Sequence, residues 1–338
     1  MHWHLAYRQK LRPKDVTLRK LISTALFSAL LYRCIGRSQV RHKSYFGQVP
    51  ESEFVTGERI SELCDVAFYS HGYLLSYPSV AKHTKSIVKV GTRLSENAHE
   101  RRLVETSRVF FTKLDWIDYF VEEVIDRIHG DFVLFTHNSD MRAGSNQAVL
   151  EHPRLRRWFG CNMAPNVKTQ GIPLGLENPD LWKRTDTQHL ANNQMRFKDR
   201  LVYIYFNTKT NPKVRNRVAR ELEANGFRQS HPTQWREYIR QLARHKFCVS
   251  PEGNGIDTHR MWECIYLGVV PIVVRTPELE HWFCNLPILW VDNFTQINQD
   301  ALLAVDVNSL KHHPCRSQHT AHTMTDIKQL MWKEFHLD

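Results

Sequence analysis

The sequence lacks several features that would assign it quickly. Its seven cysteines, Cys34, Cys64, Cys161, Cys248, Cys264, Cys284 and Cys315, form no Cys-x-x-Cys pair. A zinc site of the usual spacing is therefore not expected. An odd count leaves at least one cysteine unpaired within the chain. Cys248 and Cys264 sit among apolar neighbours and read as small core residues. No low-complexity stretch and no repeat at a fixed period is found, which excludes fibrous and solenoid architectures. Long apolar runs are scarce too. The uncharged run from Leu21 to Tyr32 holds twelve residues, against the roughly 20 that a bilayer-spanning helix needs. No small-residue cleavage site of a secretory signal follows it. Arg8, Lys10, Arg12, Lys14, Arg19 and Lys20 precede it. Two readings stay open for residues 8–35. One is a buried or amphipathic helix. The other is a type II signal-anchor, whose charge order fits the positive-inside rule.

What is present is an ordinary globular composition. The chain has 338 residues, 42% hydrophobic and 24% charged. That is long for one core and comfortable for two domains. The net charge of +11 favours acidic or phosphate-bearing partners. The basic residues concentrate modestly at 8–20, 33–43 and 152–157 and form no dense stripe with interleaved aromatics. A nucleic-acid partner is therefore not expected. A solvated basic surface with a few phosphate contacts is the plain reading.

From about Asp65 strands and helices alternate. Val66–Tyr69, Ser86–Val90 and Val109–Phe111 read as short strands. Thr112, with Asp115 in capping-box position, predicts a helix. Its apolar face comprises Ile117, Phe120, Val121, Val124, Ile125 and Ile128, and Gly130 ends it. Asp131–Thr136 is nearly all apolar, as in a parallel strand covered on both faces. Residues 147–160 read as helical with a break at Pro153, and Val167–Leu174 as strand-like. The hydrophilic segment 183–200 is the expected linker. Beyond it, Leu201–Phe206, Phe247–Ser250, Val269–Val274 and Ile288–Val291 read as strands. Asn211-Pro212 and Thr276-Pro277 open helices between them, and Thr233 is placed as the cap of another. Ile327, Leu330, Met331 and Phe335 share one face of a terminal helix. Strands alternating with helices predict parallel βαβ units. The expected organisation is an N-terminal extension over 1–60, an α/β domain over 61–182, a second over 201–312, and a helix within 313–338 packing back on the body.

The densest chemistry lies in Ser250-Pro-Glu-Gly-Asn-Gly-Ile-Asp-Thr-His-Arg260, with Glu263 one turn on. It reads as strand, glycine turn, helix. Ligands of open α/β sheets bind at the carboxyl ends of strands. Gly253 and Gly255 allow close backbone approach. The following helix offers free N–H groups to phosphate. Asn254, Asp257 and Thr258 belong to this turn, and His259 and Arg260 add donors in the first helical turn. Glu263 can accept bonds from two ribose hydroxyls. A surface turn with an ordinary helix glutamate is the plainer alternative.

This run, continued through Trp262-Glu263 and Leu267-Gly268 to Pro271-Ile-Val273, resembles the donor-binding segment of exostosin-like glycosyltransferases. It is similar in outline to the same segment of the α1,3-fucosyltransferases and of ribitol xylosyltransferase-like proteins. Weaker likeness extends to Thr136-His-Asn-Ser-Asp140, Trp158-Phe159, Ile172-Pro-Leu-Gly-Leu-Glu-Asn178 and Asn211-Pro-x-x-Arg215, so that it covers roughly 105–295. The resemblance implies a GT-B fold, with two facing Rossmann-like domains. It further implies an inverting transfer of a sugar from a nucleoside diphosphate to a hydroxyl of a glycan or glycoconjugate, with no metal and no other cofactor; no Asp-x-Asp motif is present. Leaving-group charge then falls to Arg260, His259, Lys209 and Arg215. The general base is expected across the cleft. Asp140 is the first choice, His137, Glu177 and His71 are alternatives, and Asn138 is read as holding backbone or sugar hydroxyls.

Three other readings compete. A nicotinamide-dependent oxidoreductase would need Gly-x-Gly-x-x-Gly, but Thr258 stands where the third glycine should. A non-catalytic binding module on the same fold, and a nucleic-acid binder, complete the set. An anchored chain would be a type II protein of the Golgi or endoplasmic reticulum; an unanchored one would be cytosolic.

Overall fold

The structure is a computed structural model that describes residues 48–178, 185–194, 196–312 and 320–336. The run Leu21–Tyr32 and the rest of 8–35 lie outside the described residues. Among the described residues, no helix is long and apolar enough to cross a membrane.

The chain is an α/β protein with two parallel sheets. The first has six strands in the order β2-β1-β3-β4-β5-β6. They are β1 (Val66–Tyr69), β2 (Ile87–Lys89), β3 (Val109–Thr112), β4 (Phe132–Thr136), β5 (Leu155–Gly160) and β6 (Thr169–Gly171). The second has four strands in the order β10-β9-β8-β7. They are β7 (Arg200–Tyr203), β8 (His245–Val249), β9 (Val270–Val274) and β10 (Leu289–Val291). Every pairing is parallel. Both sheets carry helices, and the helices used below are α1 (Gly57–Leu63), α2 (Pro212–Ala224), α3 (Trp235–Leu242), α4 (His259–Leu267), α5 (Pro277–Phe283) and α6 (Met324–His336).

Strand β4 shows why the first sheet forms. All five of its residues are buried. Phe132 and Leu134 enter one apolar cluster, while Val133 and Phe135 enter another on the opposite face. A strand covered on both sides needs apolar residues at consecutive positions, and a parallel sheet supplies that environment. The cluster holding Phe132 and Leu134 continues without a break to Trp262, Leu267, Val273 and Phe283 beside the second sheet. Helix α6 follows the second sheet in sequence but packs on the first, where Met324 and Ile327 join Phe135 and Phe159.

Four local expectations need correction. Thr112 caps no helix: it is the last residue of β3, paired with Thr136, and its hydroxyl donates to the Lys113 carbonyl. The apolar face beyond it is wound irregularly, with a 3-10 turn at Leu114–Trp116, a π turn at Phe120–Val124 and another 3-10 turn at Ile125–Arg127. Ile117, Phe120, Val124, Ile125 and Ile128 are nevertheless buried. Residues 147–160 form only one short helix, Gln147–Leu150, before strand β5. Pro153 stops the helix, and the residues after it pair with both β4 and β6. Thr233 lies before the start of α3, where Gln234 takes the cap position without a side-chain bond. Within the expected linker, Asp186 caps a helix over Thr187–Ala191 and Leu190 is buried. Lys198 is also buried there. It donates to the carbonyls of Ala243 (2.6 Å) and Leu267 (2.8 Å), at the C-terminal ends of α3 and α4. Two orphaned helix ends thus share one ammonium, whose pKa burial pulls down to about 8.

Candidate functional site

The loop after β8 and the start of α4 are held by short-range bonds. Thr258 caps α4 by accepting from the Met261 N–H, and Gly268, at φ 66°, closes it in the left-handed region. Ser250 is buried at the end of β8, and its hydroxyl meets that of Thr258 at 3.1 Å. Ser250 therefore braces the cap and does not line the cleft. Gly255 packs against the first lobe: a Cβ there would fall 2.9 Å from Asn162 Nδ2 and 3.1 Å from the Asp140 carbonyl. A side chain at this position would wedge the loop off that lobe.

Two arginines converge beside this loop. Arg215, on the first turns of α2, donates from Nε to the Glu252 carbonyl (3.0 Å) and from Nη1 to the Asn207 carbonyl (2.9 Å). It thereby fastens the loop after β7 to the loop after β8. Arg260 donates to the Tyr205 carbonyl and stacks its guanidinium over the Tyr238 ring at 5.1 Å. Neither arginine makes an ion pair among the described residues. Burial and the charge of Arg260 both push the Arg215 pKa down. Two like charges held close at a helix N-terminus offer positive charge and donors of the kind that anions take. Lys209, the third expected cation, is exposed on its loop and does not line the cleft.

Glu263 is buried on the same wall. Its Oε2 accepts from the Tyr238 hydroxyl at 2.5 Å and its Oε1 from Trp235 Nε1 at 3.2 Å. Burial nevertheless raises its pKa above the ordinary carboxylate value.

The opposite wall comes from the carboxyl ends of β3 and β4 and the segment after β6. It presents Lys113, Asp115, Asn138, Asp140 and Glu177. Asp140 is exposed and accepts from Asn254 Nδ2 at 3.2 Å, so that a bond crosses between the two walls. His137 turns the other way. It is 1% exposed, and its Nε2 donates to the Pro173 carbonyl at 2.9 Å. Burial lowers its pKa. It does not reach the cleft, and neither does His71, at the start of the helix His71–Ser76. Asn138 does reach the cleft. It sits at φ 57°, a left-handed conformation that asparagine tolerates better than most residues. Gly57 makes room for it, since a Cβ there would lie 1.9 Å from Asn138 Oδ1.

The floor is tied by polar bonds between the lobes. Asp257, 3% exposed, accepts from the Leu174 N–H (2.8 Å) and from Trp262 Nε1 (2.7 Å). Burial raises its pKa to about 7. His259 Nδ1 donates to the Gly175 carbonyl at 2.8 Å.

These walls enclose one cleft of about 670 Å³. Of the expected site residues, Asp140, Glu177, Arg215, Gly253, Asn254, Gly255, Asp257, Thr258, His259, Arg260 and Glu263 line it. His137, Lys209 and Ser250 do not. Lys113, Asp115, Tyr205, Trp235 and Tyr238 line it without having been singled out. Lys113 and Asp115 directly follow β3, a carboxyl end visible in the sequence. The aromatic residues look like ordinary helix and strand core, and nothing marked them. Fold and site together define a parallel α/β protein with a cleft at the carboxyl ends of both sheets. Comparison with protein-family models and with curated proteins finds no match to this chain.

Proposed function

We propose that the protein is a glycosyltransferase of GT-B architecture that transfers a sugar from a nucleoside diphosphate donor to a hydroxyl acceptor with inversion. The observation that carries this reading is the pair of arginines, Arg215 and Arg260, that have no ion-pair partner among the described residues and lie at the glycine turn before α4. They face the carboxylates Asp140 and Glu177 across one cleft. The diphosphate sits against the arginines and the free N–H groups at the start of α4. The acceptor lies on the wall formed by β3 and β4. Asp140 takes the acceptor proton, the acceptor oxygen attacks the anomeric carbon from the far side, and the bond from that carbon to the diphosphate oxygen breaks. Charge developing on the diphosphate is met by Arg215 and Arg260, so the reading assigns that task to protein and not to a metal ion.

The test is ligand binding on the purified chain. Pyrophosphate and a panel of nucleoside diphosphates, with and without sugar, are titrated by calorimetry and thermal shift. A tight ligand present at a hundred times its Kd stabilises the fold by about 2.7 kcal/mol. One nucleotide should raise the melting temperature, and Arg260→Ala should remove the shift while the unliganded protein stays folded. A well-folded chain that binds neither pyrophosphate nor any nucleotide sinks the proposal.

A further inference from the structure

The edge of the second sheet carries a motif that the cleft does not use. Asn293-Phe294-Thr295 is the chain's one Asn-x-Ser/Thr sequence with a residue other than proline in the middle. Such a sequence is an acceptor for N-linked glycan only where it is exposed and where the compartment allows it. Strand β10 lies at the edge of its sheet and pairs with β9. The chain leaves β10 after Val291 and enters the 3-10 turn Phe294–Gln296. Phe294, the middle residue, is buried and pins the turn to the apolar cluster of Phe247 and Ile272. Asn293 and Thr295 on either side of it are exposed. Asn225, just past α2, steadies the turn by donating to the carbonyls of Thr295 (2.9 Å) and Ile297 (2.8 Å). The Asn293 carboxamide oxygen accepts from the Thr295 N–H at 3.1 Å and from the Thr295 hydroxyl. Its Nδ2 has no partner among the described residues. A group attached at Nδ2 therefore displaces no hydrogen bond, and none of residues 292–296 lines the cleft.

An independent observation bears on the compartment. Cys284, which closes α5, is disulfide-bonded, while Cys64, Cys161, Cys248 and Cys264 are free and buried. Disulfides persist in secretory and extracellular proteins and are rare in the cytosol, where thiols are kept reduced. A bonded cysteine and an exposed acceptor sequence thus point to the same surroundings. We propose that Asn293 is a glycosylation site, taking an oligosaccharide from a lipid diphosphate carrier in an oxidising secretory compartment. The Asn293 amide nitrogen bonds to the anomeric carbon, the bond from that carbon to the diphosphate oxygen breaks, the lipid diphosphate leaves, and the nitrogen gives up one proton. The compartment's own oligosaccharide transferase performs this step. The glycan then stands at the end of an edge strand, whose free N–H and C=O groups are otherwise open to pairing with another chain. Entry to the compartment needs a targeting segment, and of the two readings of residues 8–35 the signal-anchor supplies one. Glycosylation here holds whether or not the cleft binds a nucleotide.

The full chain is expressed in eukaryotic cells, and the recovered protein is treated with peptide N-glycosidase. Its mobility should shift by the loss of one glycan, and peptide mass spectrometry should find Asn293 converted to aspartate by the release. Thr295→Ser should keep the shift. Thr295→Ala and Asn293→Asp should abolish it. Asn293→Asp retains the oxygen that accepts from Thr295, so its loss of glycan is not a loss of the turn. Alkylation of the denatured protein should label Cys284 only after reduction, and Cys64, Cys161, Cys248 and Cys264 without it. An Asn293 peptide that carries no glycan in the unmodified chain overturns the proposal. So does a shift that survives Asn293→Asp, or a Cys284 that labels without reductant.

Discussion

Three carboxylates, Asp115, Asp140 and Glu177, reach the cleft from the first lobe, and the last two are the candidate bases. Asp140 is exposed and receives one amide bond from Asn254, on the glycine turn of the other lobe. That bond orients the carboxylate toward the donor side without burying it. A base must lie within hydrogen-bond reach of the acceptor hydroxyl, and the proposed mechanism gives that role to Asp140, which is exposed on the cleft wall. Asp140→Asn should therefore lower kcat by roughly a hundredfold or more, the range typical for loss of a general base. The Kd for nucleoside diphosphate should stay nearly unchanged. Steady-state kinetics with parallel calorimetry separates the two; an Asp140→Asn protein of full activity would pass the role to Glu177. His137 is an alternative to Asp140 in the sequence because it too follows an apolar strand. What the sequence hides is direction. Successive side chains along a strand point to opposite faces, and the left-handed turn at Asn138 re-aims the chain just beyond. His137 is thereby sent inward to Pro173, while Asn138 and Asp140 face the cleft. Glu263 shows the same limit. Its place on the wall was legible, but the aromatic donors that hold it come from a helix more than twenty residues upstream.

At the scale of elements, legibility follows regularity. From β7 onward several helices carry their own punctuation, α3 excepted: Asn211 with Pro212, Thr276 with Pro277, Gly268 in the left-handed region. These signals act within a few residues, so a sequence displays them. The stretch after β3 does not obey them. Its apolar spacing is helical, but pairing of Thr112 with Thr136 claims the residue that would have capped it. The turns that follow wind as 3-10, α and π in succession. Strand β5 was misread because a run between two neighbouring strands is defined by its partners, which lie elsewhere in the chain. Among the helices, α4 matters most to the cleft, and its start depends on Thr258. That hydroxyl accepts from the Met261 N–H at 3.4 Å and meets Ser250 at 3.1 Å. Thr258→Ala should cost about 1 kcal/mol of stability, the usual value for a lost helix cap. It should also weaken pyrophosphate binding, because the first turn presenting N–H groups frays. Urea denaturation and calorimetry on the same preparation test both. A loss of stability with undiminished binding would detach the anion site from the helix N-terminus.

Over the whole molecule, the question is whether two sheets make two independent bodies. Composition and chain length suggest two domains, and the described residues form two parallel sheets. The packing between them argues for mechanical unity. One apolar cluster runs from Phe68 and Leu134 to Trp262 and Phe283. Buried polar groups reinforce it. Tyr266 accepts from the Val55 N–H at 3.0 Å, Asp257 from the Leu174 N–H, and Trp282 Nε1 donates to the Met163 carbonyl at 2.7 Å. Each of these bonds links the second lobe to the first, and breaking one leaves a buried group unsatisfied. Separating the lobes would strip water-free partners from all of them at once, so local opening between them should be rare and unfolding should be cooperative. Gly171 offers the way to test this. It ends β6, and a Cβ there would lie 2.3 Å from Cγ of Trp282. Gly171→Ala must push that indole aside, breaking its bond to Met163 and opening the seam between α5 and the first sheet. The unmodified protein should unfold in a single calorimetric transition, with tryptophan fluorescence and far-ultraviolet circular dichroism superimposed. Gly171→Ala should lower the midpoint and broaden or split the transition. Two separated transitions in the unmodified protein would show that the seam does not bind the lobes together, and the cleft would then have to be regarded as a hinge that ligands close, not as a site already assembled.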